Sequence, residues 1–530
     1  MTTASLSVPA TPRAATSTTR ATNKWLVAVA VAIGALLEVI DASIVNVALT
    51  DIQTTVGATL AQASWVVSSY GIANVIVLPL TAWLGERFGK KRYFVFSLIG
   101  FTIASVLCGM ATSLPMLIVA RVLQGLMGGG LLAKAQAFLF ETFPREEQPM
   151  AQAFFGAIVI AGPVVGPTLG GFIVTNYDWR WIFYVNVPIG IAAVWMCVTV
   201  LPKDKPLGKG SRIDWTAILL LAVGLGSLQT VLEEGTSEDW FDSNFIIALA
   251  AMSVVGLVAF VERQLSAEHP VVDLRVLRHR SLWAGSLLSV MVGMALYGAL
   301  FSVPIFAQSV LKYTPQQTGM LLLPGALLTA FAMPFVGKLA SMVDPRAVLA
   351  TGGLVLVVGL WMLTSLSPQT GQDDLYWPLL VRSLGTSMMF LPLNLAALGP
   401  IPRDEVSAAS GFFNLTRQLG GSIGVALLTA LLSQRQAFHR SVLVEKVVTG
   451  DALANERIQA LMQRFTGLGY TLDDARQRAL SLVDGAVNLQ SSVLSFADTF
   501  WATGALVLLC LPLVLLLGKP APGAKVDMGH

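Results

Sequence analysis

An all-α polytopic membrane protein is the fold class this chain predicts, and three observations predict it. Only 12% of its 530 residues are charged and 55% are hydrophobic, with mean hydropathy +0.70; soluble domains carry about 25% charged residues. The apolar residues gather into repeated runs of about 20 or more, enough to cross ~30 Å of hydrocarbon as helix. The period-two alternation of barrel strands is absent. The net charge of +3 gives no reason to expect nucleic acid as a partner.

Hydropathy and breaker residues place 14 spans near 25–49, 61–83, 93–113, 115–140, 150–174, 181–201, 213–232, 244–264, 282–309, 316–336, 347–366, 377–399, 407–433 and 497–517. Residues 1–24 are rich in Thr, Ala, Ser and Arg and are expected to be a disordered cytoplasmic tail. They are not expected to be a signal peptide, because the apolar run that follows is too long. Basic residues concentrate on one side: Arg87, Lys90, Lys91 and Arg92, then Lys203, Lys205, Lys209 and Arg212, then Arg275, Arg278 and Arg280, with Arg180 and Lys312 as exceptions. Cytoplasmic loops carry such an excess, so both termini are expected in the cytoplasm and the span count is even.

One connection is different. Residues 434–496 form a long polar stretch between the last two spans, on the side opposite the basic loops. Within it Thr471 and Asp474 signal a helix start before Ala475 to Val483, and a second helix is expected over Asn455 to Phe465. Loops this long are often functional.

An internal repeat divides the chain. Arg121 lies in LIVARVLQG (117–125) and Arg382 in PLLVRSLG (378–385), while the stretch from Ala82 to Lys91 finds a weaker echo from Gly337 to Arg346. Two six-helix bundles follow, 25–201 and 282–517. A linker, 202–281, carries two extra spans, and 518–530 is a cytoplasmic tail. Paired bundles with a site between them are an established transporter plan.

The first span holds two carboxylates, Glu38 and Asp41. Acids at that depth are costly in lipid and need a reason. Three residues apart, they share a helix face. Mutual repulsion and desolvation both favour proton uptake, while a cation near Asp41 opposes it. Arg121, at a similar depth in span four, is the candidate cation. Lys134, about 140° around the same helix, has three open roles: binding an anionic substrate, pairing with Glu38, or snorkelling to headgroups about 9 Å away. The cysteines Cys108, Cys197 and Cys510 fall inside apolar runs and are expected to be packing residues, with no metal-ligand spacing.

Several stretches carry a resemblance. AWLGERFGKKR (82–92), with Glu86, Arg87, Gly89 and Lys90, resembles the loop between spans two and three of the major facilitator superfamily, although Ala82 stands where glycine is usual and Glu86 where Asp is usual. Acids at helix N-termini and cations at C-termini form charge latches there. ARVLQGLMGGG (120–130) resembles the span-four signature of proton-coupled members, its glycines allowing close helix approach. GAIVIAGPVVGPTLGG (156–171) resembles the span-five antiporter signature, with Gly162, Pro163, Gly166, Pro167, Gly170 and Gly171 at close-packing spacing. IDASIVNVAL (40–49), WRWIFYVNVPIG (179–190) and FNLTRQLGGSIG (413–424) resemble the fourteen-span drug/proton antiporters of the EmrB/QacA type, nearer the EmrB branch.

The resemblance implies a major facilitator fold of two six-helix bundles plus two extra helices, in a bacterial inner membrane. It implies proton-driven efflux of hydrophobic toxic compounds or drugs by alternating access, with no cofactor besides the proton gradient and no metal. Glu38, Asp41 and Arg121 are expected to couple protons. Asn46, Asn394, Arg417, Met388, Phe390 and Lys134 are expected to contact substrate, with Met389 and Phe301 beside them. Partners implied are a periplasmic membrane-fusion adaptor and an outer-membrane channel, the 434–496 stretch facing the adaptor. A proton-coupled importer of the same fold is the alternative, and a membrane enzyme or receptor a remote one. His269, His279, His439 and His530 all fall in loops or tails, and no Ser-His-Asp set, HExxH or GxxxxGK[ST] loop is present, so the chain is not expected to be an enzyme or to hydrolyse ATP.

Overall fold

The computed structural model describes residues 23–204, 213–448 and 452–517. Residues 1–22 and 518–530 of the two expected tails, Lys205, Lys209 and Arg212, and the side chain of Phe301 lie outside the described residues. Fourteen helices are long and apolar enough to cross a membrane: Lys24–Val56, Ala61–Phe88, Lys90–Gly109, Leu114–Thr142, Gln148–Asn176, Trp181–Val200, Trp215–Glu234, Asn244–Ser266, Arg280–Ser309, Pro315–Met342, Pro345–Ser365, Gln372–Leu398, Val406–Glu445 and Leu472–Leu516. They are numbered one to fourteen below. Helices satisfy every backbone polar group internally, which hydrocarbon demands.

Local sequence explains the starts. Asn23 caps span one by accepting the Trp25 N–H at 3.0 Å. Spans two and ten, the second span of each bundle, begin with the same reciprocal cap. Thr59 Oγ1 accepts the Gln62 backbone N–H while the Thr59 N–H donates to Gln62 Oε1, and Thr314 and Gln317 do the same. At the start of span six, the rings of Tyr177, Trp181 and Tyr184 form an edge-packed aromatic group suited to a membrane interface.

Span five joins the bundles: it packs along span one on one side and span ten on the other. Its glycines make this approach possible. A Cβ on Gly162 would meet Val39 and one on Gly166 would meet Ser43, while Gly171 lies against the Gln316 backbone of span ten. Span nine packs on thirteen and eleven on twelve. Spans seven and eight pack on each other, and span seven also touches spans two and thirteen.

At the end carrying the basic loops, the bundles are bolted together by hydrogen bonds. The Gln136 amide donates to Asn394 Oδ1 at 2.8 Å, the Asn414 amide donates to Gln136 Oε1 at 2.7 Å, and Ser410 Oγ donates to the Ala133 carbonyl at 2.8 Å. In contrast, the opposite half of span four, Leu114–Gly128, packs on helices of its own bundle.

The 434–496 stretch holds the two expected helices, one within Ala452–Gly467 and one starting after Thr471, but its ends are not loop. One helix runs unbroken over Val406–Val448 and another over Leu472–Cys510, so spans thirteen and fourteen continue well beyond their apolar parts. Ion pairs clamp the extensions: Arg435 to Asp498 at 2.5 Å and Arg440 to Asp484 at 2.8 Å. A shorter helix, Ala452–Gly467, lies against the second extension. Polar composition suggested a loop, but proline is absent from both extensions and the two helices supply each other with charged partners.

Candidate functional site

Asp41 is completely buried in the first bundle, and three side chains address its carboxylate. Arg121 Nη1 donates to Oδ2 at 2.6 Å, while the Gln124 and Asn186 amides both donate to Oδ1 at 2.8 Å. Arg121, also fully buried, donates from Nε to the Val66 carbonyl at 2.9 Å and stacks over the Tyr70 ring at 4.2 Å. Gln124 and Arg121 lie three apart on one helix face, so one turn of span four supplies both groups. Gly125 follows at once: a Cβ there would strike the Tyr70 carbonyl of span two, so glycine lets that helix come close enough for Tyr70 to cover the guanidinium.

Glu38 shares the helix but not the partners. The Asn74 amide donates to its Oε1 at 2.8 Å, and the backbone N–H of Leu132 donates to its Oε2 at 2.7 Å. That N–H is free because span four is broken in mid-membrane. Its first helix ends at Gly128 and a new one begins at Leu131, with Gly130 at φ 92° between them. Three consecutive glycines tolerate this break; any Cβ on Gly130 would both strain the backbone and collide with Thr81. The result is a helix N-terminus inside the membrane, an electrostatic seat for a carboxylate. Glu38 and Asp41 are therefore two sites on one helix, each with its own hydrogen-bond donors.

A cleft of about 60 Å³ lies between the bundles, with Val39, Leu132, Pro163, Tyr297, Thr329, Phe390, Arg382 and Arg417 in its wall. Of the residues expected to contact substrate, Phe390 and Arg417 are there, the guanidinium 5.0 Å from the ring. Arg417 also bonds to Asn414. Asn394 is not at the cleft, since it is committed to the Gln136 bond between the bundles. Met388 packs on Gly352 of span eleven. Asn46 is exposed and reaches only the Ala42 carbonyl at 3.4 Å.

Lys134 neither pairs with Glu38 nor snorkels. It is 5% exposed, its Nζ has no hydrogen-bond partner, and it sits 2.9 Å from the Tyr93 ring centre, beside Gly85. Its position around the helix turns it into the first bundle, toward Tyr93 and Gly85, and it does not line the cleft.

In the loop after span two, Lys90 pairs with Glu141 at 2.6 Å, and Lys91 Nζ donates to the Val198 and Leu201 carbonyls at the end of span six. The acid at the N-terminus of span three is Asp204, which accepts the backbone N–H groups of Lys91 and Arg92 at 2.8 and 3.1 Å. Glu86, expected in such a latch, is exposed instead. Gly89 at φ 93° lets Asp204 approach. Arg87 lies 5.8 Å from the Trp83 ring.

Sequence reading passed over Gln124, Asn186, Asn74 and Tyr70. It also passed over Glu233 and Glu234 at the end of span seven. Glu234 is 4% exposed and accepts from Ser68 of span two at 2.7 Å. Gln229 donates to Glu233 at 2.6 Å and to Ser422 of span thirteen at 2.7 Å, linking both bundles through the extra helix. The signal available was two adjacent acids closing an apolar run.

The sequence model of the Major Facilitator Superfamily matches residues 31–425. Multidrug export protein EmrB of Escherichia coli K12 is 33% identical over 500 residues, covering 94% of this chain and 96% of that one. Fatty acid resistance protein FarB of Neisseria gonorrhoeae is 30% identical over 494 residues, covering 93% and 96%. Among solved structures, the proton:xylose symporter XylE aligns with a TM-score of 0.59 at 13% identity over 92% of this chain and 94% of that one, which bears on the fold alone.

Proposed function

The chain belongs to the major facilitator superfamily, among transporters of the EmrB multidrug export type, and from that premise we propose that it exports hydrophobic toxic compounds in exchange for protons across a bacterial inner membrane, its basic end facing the cytoplasm. The observation that carries the reading is Glu38, seated on the broken end of span four. Its hydrogen-bond donor, Leu132, is itself part of the cleft wall. Protonating Glu38 removes the charge held by that helix end, so the break in span four and the shape of the cleft respond together. Asp41, held by Arg121, Gln124 and Asn186, is the second site, reached when the Arg121 bond opens.

The cleft is too small for cargo as it stands. About 60 Å³ holds roughly two waters, whereas pockets for drug-sized ligands run about 300–1,000 Å³. The bundles must part for substrate to enter, which supports alternating access. Arg382 and Arg417 in the wall favour compounds that pair an apolar body with an anionic group. FarB, named for fatty acid resistance, is a relative whose name fits that class. The helical projection built from spans thirteen and fourteen lies at the end opposite the basic loops, where a periplasmic adaptor of a tripartite assembly would dock.

The test uses proteoliposomes with an imposed proton gradient. Glu38→Gln and Asp41→Asn should each abolish gradient-driven efflux, as loss of an intramembrane proton carrier predicts, while Glu38→Gln retains substrate counterflow without a gradient. Gradient-driven efflux at the wild-type rate in both variants would refute the coupling role.

A further inference from the structure

At the basic end, below the bolts between the bundles, lies a separate cavity of about 350 Å³. Its apolar floor is Phe140, Leu398, Ile401 and Val406, all buried. Its charged residues are Arg145, Arg403 and Glu146. The two arginines come from different bundles but from the same sequence: Pro144-Arg145-Glu146-Glu147 and Pro402-Arg403-Asp404-Glu405. They are related by the 258-residue offset that also separates Gln136 from Asn394.

The two loops are anchored alike. Glu147 pairs with Lys24 at the start of span one, with Nζ 2.6 Å from Oε1. Glu405 pairs with Arg278, and with His279 Nε2 at 2.7 Å, just before span nine. The second acid of each loop is thus bound to the base of the first helix in its own bundle. The arginines are left over. Among the described residues, neither Arg145 nor Arg403 has a hydrogen-bond, ion-pair or ring partner, and both line one cavity. Spans five and thirteen begin at the same place, Gln148 and Val406 lying in the wall, so two helix N-termini add positive potential. Glu146 offsets only part of this.

We propose that this cavity is a phosphate-group site, formed between the bundles by Arg145 and Arg403 when the basic end closes. Guanidinium groups match phosphate oxygens in paired hydrogen bonds. Closing the bundles brings two like charges to one cavity, and a bound anion converts that repulsion into attraction across the boundary. Because each bundle supplies one arginine, the anion binds this closed arrangement better than one in which the bundles have parted, and so stabilises it. The phosphate comes either from an anionic lipid headgroup or from free solution. The site stands on the repeat and the cavity and is independent of proton coupling, so its failure leaves the efflux reading intact.

The experiment places the full chain in nanodiscs and reads its thermal midpoint. In phosphatidylcholine discs, inorganic phosphate is titrated at constant ionic strength against chloride. In a second arm, phosphatidylglycerol replaces part of the lipid and phosphate is omitted. A rise with phosphate supports the site with a soluble source, and a rise with phosphatidylglycerol supports it with a headgroup source. Arg145→Gln and Arg403→Gln should each weaken the response about tenfold, as loss of one charge-assisted contact predicts. Arg92→Gln, an equal change in net charge elsewhere, should not. Glu146→Gln should strengthen the response, which a merely structural role would not do. The proposal is overturned if neither anion moves the midpoint, if the arginine variants respond like wild type, or if Glu146→Gln weakens the response.

Discussion

The two bundles share a repeat but treat charge oppositely. In the first, Arg121 is matched: its guanidinium meets Asp41, and Glu38 has its own seat one turn away. In the second, Arg382 occupies the echoing position. It is 7% exposed, and its guanidinium has no hydrogen-bond or ion-pair partner among the described residues. Arg417 joins it in the cleft wall, and no buried carboxylate accompanies either among the described spans of that bundle. An arginine paired inside its bundle is machinery whose charge is internally balanced. An arginine left facing a cleft asks for its counter-charge from whatever enters. The same residue type is thus paired with an acid inside one bundle and left without one at the cleft in the other.

The largest test of this contrast sets Arg121→Gln against Arg382→Gln. The first strands Asp41 without its cation, and breaking a buried pair from one side costs about 3–5 kcal/mol. Its thermal midpoint and its transport should both collapse. The second removes a cation with no partner to strand, so its midpoint should hold or rise while efflux of anionic substrates falls. Equal destabilisation by both would erase the distinction.

Lys134 extends the comparison within the first bundle, as a buried cation there with no hydrogen-bonded acid. Contact with Tyr93 offsets part of its burial, at about 0.5–2 kcal/mol. Lys134→Met should raise the thermal midpoint modestly and leave transport of every substrate unchanged. A selective loss of anionic cargo would instead group Lys134 with Arg382.

The smallest effect concerns the extra helices outside both bundles. Asp214 caps span seven, accepting the Ala217 N–H at 3.1 Å, and receives Arg263 Nε of span eight at 2.8 and 3.0 Å. The Arg263 bonds, more than the cap, hold its carboxyl below the usual value. A lowered carboxyl stabilises the folded state fully above the ordinary Asp value, near 3.9, and loses that contribution as pH falls through the folded value. The midpoint difference between wild type and Asp214→Asn should therefore be constant near neutrality and vanish in strong acid. A difference that persists there would show that the ion pair is not its source.

The span count was legible because hydrocarbon imposes length and composition on each helix separately. The depth match of Asp41 and Arg121 was legible for the same reason. What a single helix cannot reveal is its neighbour. Asn186 and Gln124 reach Asp41 from spans six and four, and nothing in their own periodicity points to it. The three glycines of span four announced close packing, yet Gly130 at positive φ also breaks the helix, and only the fold shows that Glu38 sits on the break. Lys134 was legible as an anomaly, but its direction depended on which face of span four met Tyr93. In the 434–496 stretch the cap at Thr471 and the short helix around 455–465 were legible, but the unbroken continuation of spans thirteen and fourteen was not, because polar composition alone does not show that two helices satisfy each other.

Those extensions give the protein a long lever. The Val406–Val448 helix is 43 residues in one piece, roughly 64 Å from end to end at 1.5 Å per residue. It carries Arg417 near one end and the Arg435 and Arg440 clamps toward the other. From Arg417 to the tip is roughly 46 Å, so a tilt of about 10° at the cleft would swing the tip by roughly 8 Å. Whatever grips that tip would feel each turnover as a mechanical stroke.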